Sequence, residues 1–264
     1  MSEGALLERL DELAQQAGRI ALARYGRVSF ELKGDASPVS VADREVEAFL
    51  RAELTALDPG AAYIGEESAR DPESVSAARQ AERVWVVDPI DGTAAFLGEL
   101  DTFAVCIGLL KGGAPRAGVV TLPVLGQTYR AERGAGAWWR RPSGLRRIRA
   151  SADEVPSVSC LLAPSSAHRS YRIRYRGKVR SFGCTAYHFL LVARGVGIGA
   201  ISRSYVWDYA AAAAILEEAG GVLRHLDGSP LDWLALLDGE SARKPVLGAH
   251  PGRWDELAGL IERA

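Results

Sequence analysis

The chain has 264 residues, 48% of them hydrophobic and 25% charged, which suffices to bury a sizeable core in one layered domain or two lobes. Its formal net charge of −1 argues against nucleic-acid or membrane adhesion driven by charge alone. Three cysteines without a CxxC pair suit reduced thiols in the cytoplasm; no signal-like stretch opens the chain, and no apolar run approaches the roughly 20 residues that span a bilayer.

Leu6, Leu10, Leu13, Ala17, Ile20 and Ala21 recur at helical spacing and predict an amphipathic helix over 3–24. The composition of 33–38 predicts a loop. Ser40 then reads as an N-cap, with Val46, Phe49, Leu50, Leu54 and Leu57 as the apolar stripe of a second helix that Pro59-Gly60 stops. "AAYIGEES" reads as a short strand ending in acids. From 84 to about 150, β-like runs divided by the turns "KGGAP" and "ERGAG" predict an antiparallel meander. Beyond 150, "VSCLL", "KVRSF", "GAIS", "GGVLRHL" and "PVLGAH" alternate with helices near 185–194, 208–219 and 252–263, the rhythm of helices covering a second sheet. The expected organisation is α+β: an N-terminal lobe over 1–150 and a C-terminal α/β lobe over 151–264. No long linker intervenes, so the two are expected to pack closely.

Carboxylates gather at element ends: Asp43 in "SVADREVE", Glu66 and Glu67 in "IGEES", Asp88 and Asp91 in "DPIDGT", and Asp208 in "VWDYAAAAAILEEAGG". Each has a plain reading. Asp43 fits a capping box with Ser40, Asp208 an N-cap, Glu66-Glu67 a solvated turn, and Asp91-Gly92 a simple turn. Jointly those readings lose ground. Asp88 and Asp91 end a core strand, and nothing near them in sequence is cationic enough to neutralise both. A hard divalent cation held by oxygen does so, and Mg2+ leads with Mn2+ possible, since the four histidines are scattered and no His/Cys set has zinc spacing. Ile90 can offer its carbonyl as a further ligand. Gly92 lets the backbone approach a ligand, and Thr93 opens a short helix whose free N–H groups favour an anion. Cations beside such a helix start make a phosphate site.

The stretches "KGDASPVSVADREVE", "IGEES", "WVVDPIDGTAAF" and "WDYAAAAAILEEAGG" resemble the inositol monophosphatase family of Mg2+-dependent, lithium-sensitive phosphatases. The wider group includes fructose-1,6-bisphosphatases and phosphatases of 3′-phosphoadenosine 5′-phosphate. With "GQTYRAERGAGAWW" also fitting, the resemblance covers nearly the whole chain. It implies an αβαβα layered sandwich, a metal site between the lobes and a homodimer. It further implies Glu66, Asp88 and the Ile90 carbonyl as ligands of a first metal, and Asp88, Asp91 and Asp208 as ligands of a second. A third, weaker ion would sit near Glu66 through water. The Gly92 and Thr93 N–H groups would hold phosphate, while Asp43 and the Thr93 hydroxyl would orient and help deprotonate the attacking water. Glu66 joins Asp43 and Thr93 in the catalytic set, and the role of Glu67 is less defined.

The chain departs from the family on the substrate side. The substrate loop reads "GCTA" (Gly183, Cys184, Thr185, Ala186) rather than "GSxA", and Arg203 stands where an acid contacts inositol hydroxyls. The basic stretch "SSAHRSYRIRYRGKVR" reads either as a solvated edge strand or as a surface for an anionic substrate. The expected activity is hydrolysis of a small phosphate monoester resembling inositol monophosphate by metal-activated water. The alternative is a substrate with a second anionic group, with sugar bisphosphates, 3′-phosphoadenosine 5′-phosphate and histidinol phosphate all open. A catalytically idle anion-binding relative is the rival of another class, and a nucleic-acid binder is disfavoured by the near-neutral charge.

Overall fold

Leu7, Leu10, Leu13, Ala14, Ala17 and Ala21 recur at three- and four-residue intervals and form the buried face of helix α1 (Ala5–Arg24). The structure is a computed structural model that describes residues 4–27, 30–32, 38–69, 71–155 and 157–264. Residue 3 of the first predicted helix and residues 33–37 of the predicted loop lie outside the described residues. A short antiparallel pair, β1 (Phe30–Leu32) and β2 (Pro38–Ser40), leads into α2 (Val41–Leu57), which Ser40 caps as expected. Next come β3 (Ala62–Gly65), α3 (Pro72–Gln80), β4 (Arg83–Asp91) and α4 (Thr93–Leu97). Helix α3 has no counterpart in the sequence reading. It buries only Ala78, so it lacks an apolar stripe, although Asp71 as N-cap and Pro72 at the first helical position do mark its start.

The predicted meander is β5 (Ala104–Lys111), β6 (Ala114–Leu122), β7 (Gln127–Glu132), β8 (Gly136–Arg141) and β9 (Gly144–Ile148). Among the described residues these strands join β3 and β4 in a seven-stranded sheet, ordered β3-β4-β5-β6-β7-β8-β9. Only the β3–β4 pair is parallel.

The chain then runs through β10 (Cys160–Leu162), α5 (Ala167–Ser170), β11 (Tyr171–Ile173), β12 (Lys178–Arg180), α6 (Thr185–Ala193), β13 (Gly197–Ser202), α7 (Val206–Glu218), β14 (Val222–His225), β15 (Val246–Ala249), α8 (Pro251–Gly259) and β16 (Ile261–Arg263). The second sheet has the order β12-β10-β13-β15-β14. Two expectations need correction. The last helix ends at Gly259 rather than running to 263, because the backbone of Ile261–Arg263 pairs with Tyr171–Ile173. Helix α7 begins at Val206, so Asp208 is its third residue and not its N-cap.

Alternation along each strand sorts the core into layers. Trp85, Val87, Val105 and Ile107 face α1 and α2. Val84, Val86, Cys106 and Val120 face the opposite way, onto α6 and α7. Those helices also pack against Leu162, Ala200 and Val246 of the second sheet, whose far side (Leu161, Ile198, Ile201, Leu247) carries Trp254 and Leu257 of α8. The layers run helix, sheet, helix, sheet, helix, as the resemblance implied. Helix α7 lies almost on the first sheet: a Cβ at Gly118 would come 2.2 Å from the Ala211 carbonyl oxygen. That contact, between glycine on one side and an alanine run on the other, brings the first turn of α7 down beside the end of β4.

Candidate active site

In a regular strand, residues three apart point to opposite faces, so Asp88 and Asp91 could not share a site. Strand β4 carries an irregularity at this point. Asp88 pairs with Cys106 and Asp91 with Ala104, three steps on one strand against two on the other, a β-bulge that returns both acids to one face. That face is the one turned towards α6 and α7. Helix α7 delivers Asp208 to the same place, and the three residues each offer a carboxylate oxygen, all within 4.8 Å of one another. Asp88 and Asp91 are buried, and Asp208 lies at the rim of the cluster with 8% of its surface exposed.

Each carboxylate is held. The Ile90 N–H donates to Asp88 Oδ1 at 2.9 Å. Asp91 accepts from the Thr185 N–H (3.0 Å), the Ala186 N–H (2.6 Å) and the Cys184 thiol (3.0 Å), all at the start of α6. Asp208 accepts from the Tyr205 N–H at 3.0 Å. Burial, then the charges of Glu66, Asp91, Asp208 and Asp43, push the Asp88 carboxyl well above the ordinary range. Asp208 is pushed up by burial and by Asp91 and Glu66, and Asp91 by burial against the pull of its donors. Among the described residues no lysine, arginine or histidine pairs with any of the three. Clustered, desolvated acids with oxygen donors only are what a hard divalent cation neutralises, so this donor set fits one.

Glu66 follows β3, parallel neighbour of β4, and its N–H bonds the Val87 carbonyl at 3.2 Å. Its charge reaches both Asp88 and Asp208. A residue that sequence reasoning passed over supports this turn. Glu47, buried on α2, accepts the Glu67 N–H at 2.7 Å, and burial raises its pKa. Gly65 makes the room, since a Cβ there would sit 2.6 Å from the Glu47 carboxyl carbon. Glu47 lies four residues after Asp43, on the same side of α2, and that spacing was the available signal.

Asp43 makes two different contacts through its two oxygens. Its Oδ2 accepts the Ser40 N–H (2.8 Å) and Ser40 hydroxyl (2.6 Å), the capping contact. Its Oδ1 faces the Thr93 hydroxyl at 3.5 Å, which also lies 3.2 Å from the Ile90 carbonyl. Gly92 has φ +88° as the N-cap of α4, and a Cβ there would meet the Gly183 carbonyl at 2.6 Å. The Gly183–Ala186 loop is therefore brought against the bulge. His188, scattered in the sequence reading, fastens that loop: its Nε2 accepts the Phe182 N–H at 2.9 Å, and burial lowers its pKa to about 4, so the ring stays neutral.

The other candidates make contacts of their own. Arg203 is exposed just past β13, and its Nε donates to the Ala242 carbonyl at 2.9 Å; no ion pair joins it to the acids among the described residues. In the basic stretch, β12 is an exposed edge strand, and Arg174 pairs with Glu262 at 2.7 Å. These contacts favour the solvated-edge reading.

The family profile described as the inositol monophosphatase family matches residues 5–259. A histidinol-phosphatase of Chlorobaculum parvum is 35% identical over 237 residues, covering 87% of each chain. A 3′(2′),5′-bisphosphate nucleotidase CysQ of Aggregatibacter actinomycetemcomitans is 32% identical, covering 86% of this chain and 87% of that protein. Among solved structures, the IMPase of Thermotoga maritima superposes with a TM-score of 0.81 at 24% identity, covering 97% of this chain and 96% of that one.

Proposed function

The chain belongs to the inositol monophosphatase family, and on that premise we propose that it is a Mg2+-dependent phosphatase of a small phosphate monoester, with Mn2+ able to substitute. The observation that carries this reading is the buried triad of Asp88, Asp91 and Asp208, which has no cationic partner among the described residues. Asp88, Asp91, Asp208, Glu66 and the Ile90 carbonyl would hold two ions, with a third, weaker one near Glu66. Divalent cations bound there would supply Lewis acidity, lowering the pKa of water and offsetting the negative charge of the phosphate.

The remaining work falls to the chain itself. The Thr93 hydroxyl accepts a hydrogen bond from the attacking water and passes its own proton towards Asp43 Oδ1. Ser40 occupies Asp43 Oδ2 with two hydrogen bonds, so the carboxylate cannot turn away. The N–H groups of Gly92 and Thr93, at the start of α4, receive the phosphate oxygens. Asp91, tied to the start of α6, couples the metal site to the Gly183–Ala186 loop, which lies on the substrate side. In this arrangement residues 1–150 contribute every ligand but Asp208, and 151–264 contribute Asp208 and the substrate loop. Buried free thiols at Cys106, Cys160 and Cys184 support a cytoplasmic setting.

The substrate is tested by kcat/KM for phosphate release from inositol 1-phosphate, histidinol phosphate, fructose 1,6-bisphosphate and 3′-phosphoadenosine 5′-phosphate with Mg2+. Release from at least one is expected, and none from a folded protein overturns the reading. Arg203 separates the candidates. With Nε anchored, its terminal N–H groups are left to pair with a second anionic group. Histidinol phosphate carries an ammonium rather than a second anionic group, so Arg203 offers it no pairing partner. Arg203→Glu should therefore lower kcat/KM for a bisphosphate and spare a neutral or cationic monoester; equal effects on all substrates would make Arg203 a surface residue only.

A further inference from the structure

Away from the acids, at the outer edge of the first sheet, a cavity of about 520 Å3 is lined by Trp139, Arg141, Arg146, Arg147, Arg149 and Arg194, with no acid in its wall. We propose that it is a second anion site, one that takes a compact oligophosphate: inorganic pyrophosphate or tripolyphosphate, or the phosphate chain of a nucleotide.

Two observations favour a built site over scattered surface charge. First, the cavity has an ordered aromatic floor. Trp139 stacks on buried Tyr129 at 5.8 Å, and the guanidinium carbons of Arg194 and Arg141 lie 4.1 and 4.9 Å from its ring centroid. Arg194 is also fixed by donating Nη1–H to the Tyr129 hydroxyl at 2.9 Å. Second, among the described residues none of the five arginines makes an ion pair, whereas Arg130 and Arg140 on the other side of the same strands both pair with Asp11. The Arg141 and Arg194 guanidiniums gathered on the Trp139 ring repel one another until an anion arrives, and their forked N–H groups match phosphate oxygens. The plainer account is that β9 is an edge strand guarded by charge, with Arg194 placed at the C-terminus of α6 to suit the helix dipole. Edge guarding needs neither a shared cavity nor a guanidinium held as that of Arg194 is.

The location separates this cavity from the phosphatase centre. Helix α6 starts at the Asp91 carboxylate and ends at Arg194, and its nine residues span about 13 Å. The ligand class follows from the floor: Tyr129 and two guanidiniums cover the indole, so a nucleobase finds no free face to stack on. Phosphate groups alone should carry the binding.

The test is calorimetric titration of the full chain in Mg2+ buffer with inorganic tripolyphosphate, pyrophosphate, ATP and a short single-stranded oligonucleotide. The proteins compared are wild type, Arg146→Glu/Arg149→Glu and Asp88→Asn. Tripolyphosphate and ATP should bind wild type and Asp88→Asn with equal affinity. The double arginine variant should bind at least tenfold more weakly while keeping its melting temperature and its kcat/KM for a monoester. Four results would overturn the proposal: no binding to wild type, binding that the arginine variant retains, binding that Asp88→Asn loses, or an oligonucleotide that outcompetes tripolyphosphate.

Discussion

Replacing Asp88 by Asn removes one charge from the acid cluster and keeps the shape, since the amide oxygen can still accept the Ile90 N–H. Two opposite consequences follow from one geometry. Carboxylate oxygens at the 4.8 Å limit of the cluster repel by about 3.5 kcal/mol per ionised pair at an effective dielectric of about 20. Oxygens closer than that limit repel more, while protonation of the raised Asp88 carboxyl relieves part of the repulsion, so the figure sets only the scale. Without metal, Asp88→Asn should therefore melt at or above wild type at pH 8. With Mg2+, wild type should gain stability and the variant little, because the shared ligand is gone. Turnover should fall at least ~1000-fold, about 4 kcal/mol in transition-state terms. The assay pairs thermal melts in EDTA and in Mg2+ with phosphate release. A variant less stable than wild type in EDTA would make Asp88 a structural residue. A folded variant with near-normal turnover would remove it from the metal site.

The pH dependence of the metal-free protein has a defined sign. The folded pKa of Asp88 and Asp208 is raised above the unfolded value of about 3.9, so their contribution is present below that value and lost as pH rises through the raised one. Melts in EDTA should fall as pH climbs from the carboxylate range towards neutrality, and Mg2+ should reverse the trend; a rising metal-free profile would refute it. Thr93→Ala and Asp43→Asn should each lower kcat strongly, and the double variant should be barely worse, since both are proposed to act on one water. Asp43→Asn should also cost about 1 kcal/mol of stability through the Ser40 cap, read by denaturant melts, and fully additive kinetic losses would separate the two roles. Glu47→Ala should cost about 1–3 kcal/mol and raise the Mg2+ concentration for half-maximal activity, with Glu47→Gln milder. An unchanged Mg2+ requirement would make Glu47 a core residue without influence on the Glu66 turn.

The sequence carried the helical stripes of α1 and α2, the meander and the acids at element ends, because apolar period and turn chemistry are local properties. It did not carry α3, which has almost no buried face, or the β11–β16 pairing, which joins segments far apart in the chain. Within the site, the capping and catalytic readings of Asp43 competed on paper; in the fold the Ser40 cap uses Oδ2 and leaves Oδ1 facing the Thr93 hydroxyl, a division that no spacing in the sequence shows. Glu47 and His188 went unread for a related reason. Each works through a backbone N–H of a turn brought near by folding; the four-residue spacing from Asp43 marks the side of α2 that Glu47 occupies but not its partner, and His188 has no such mark.

The central claim is that the Asp88–Asp91–Asp208 cluster binds divalent cations that turnover requires. The direct measurement is phosphate release by the metal-stripped chain, from the best monoester of the panel, as Mg2+ is titrated back. Background release is expected in EDTA, with a saturable return on Mg2+ that Asp88→Asn lacks. Release at full rate in EDTA would contradict it.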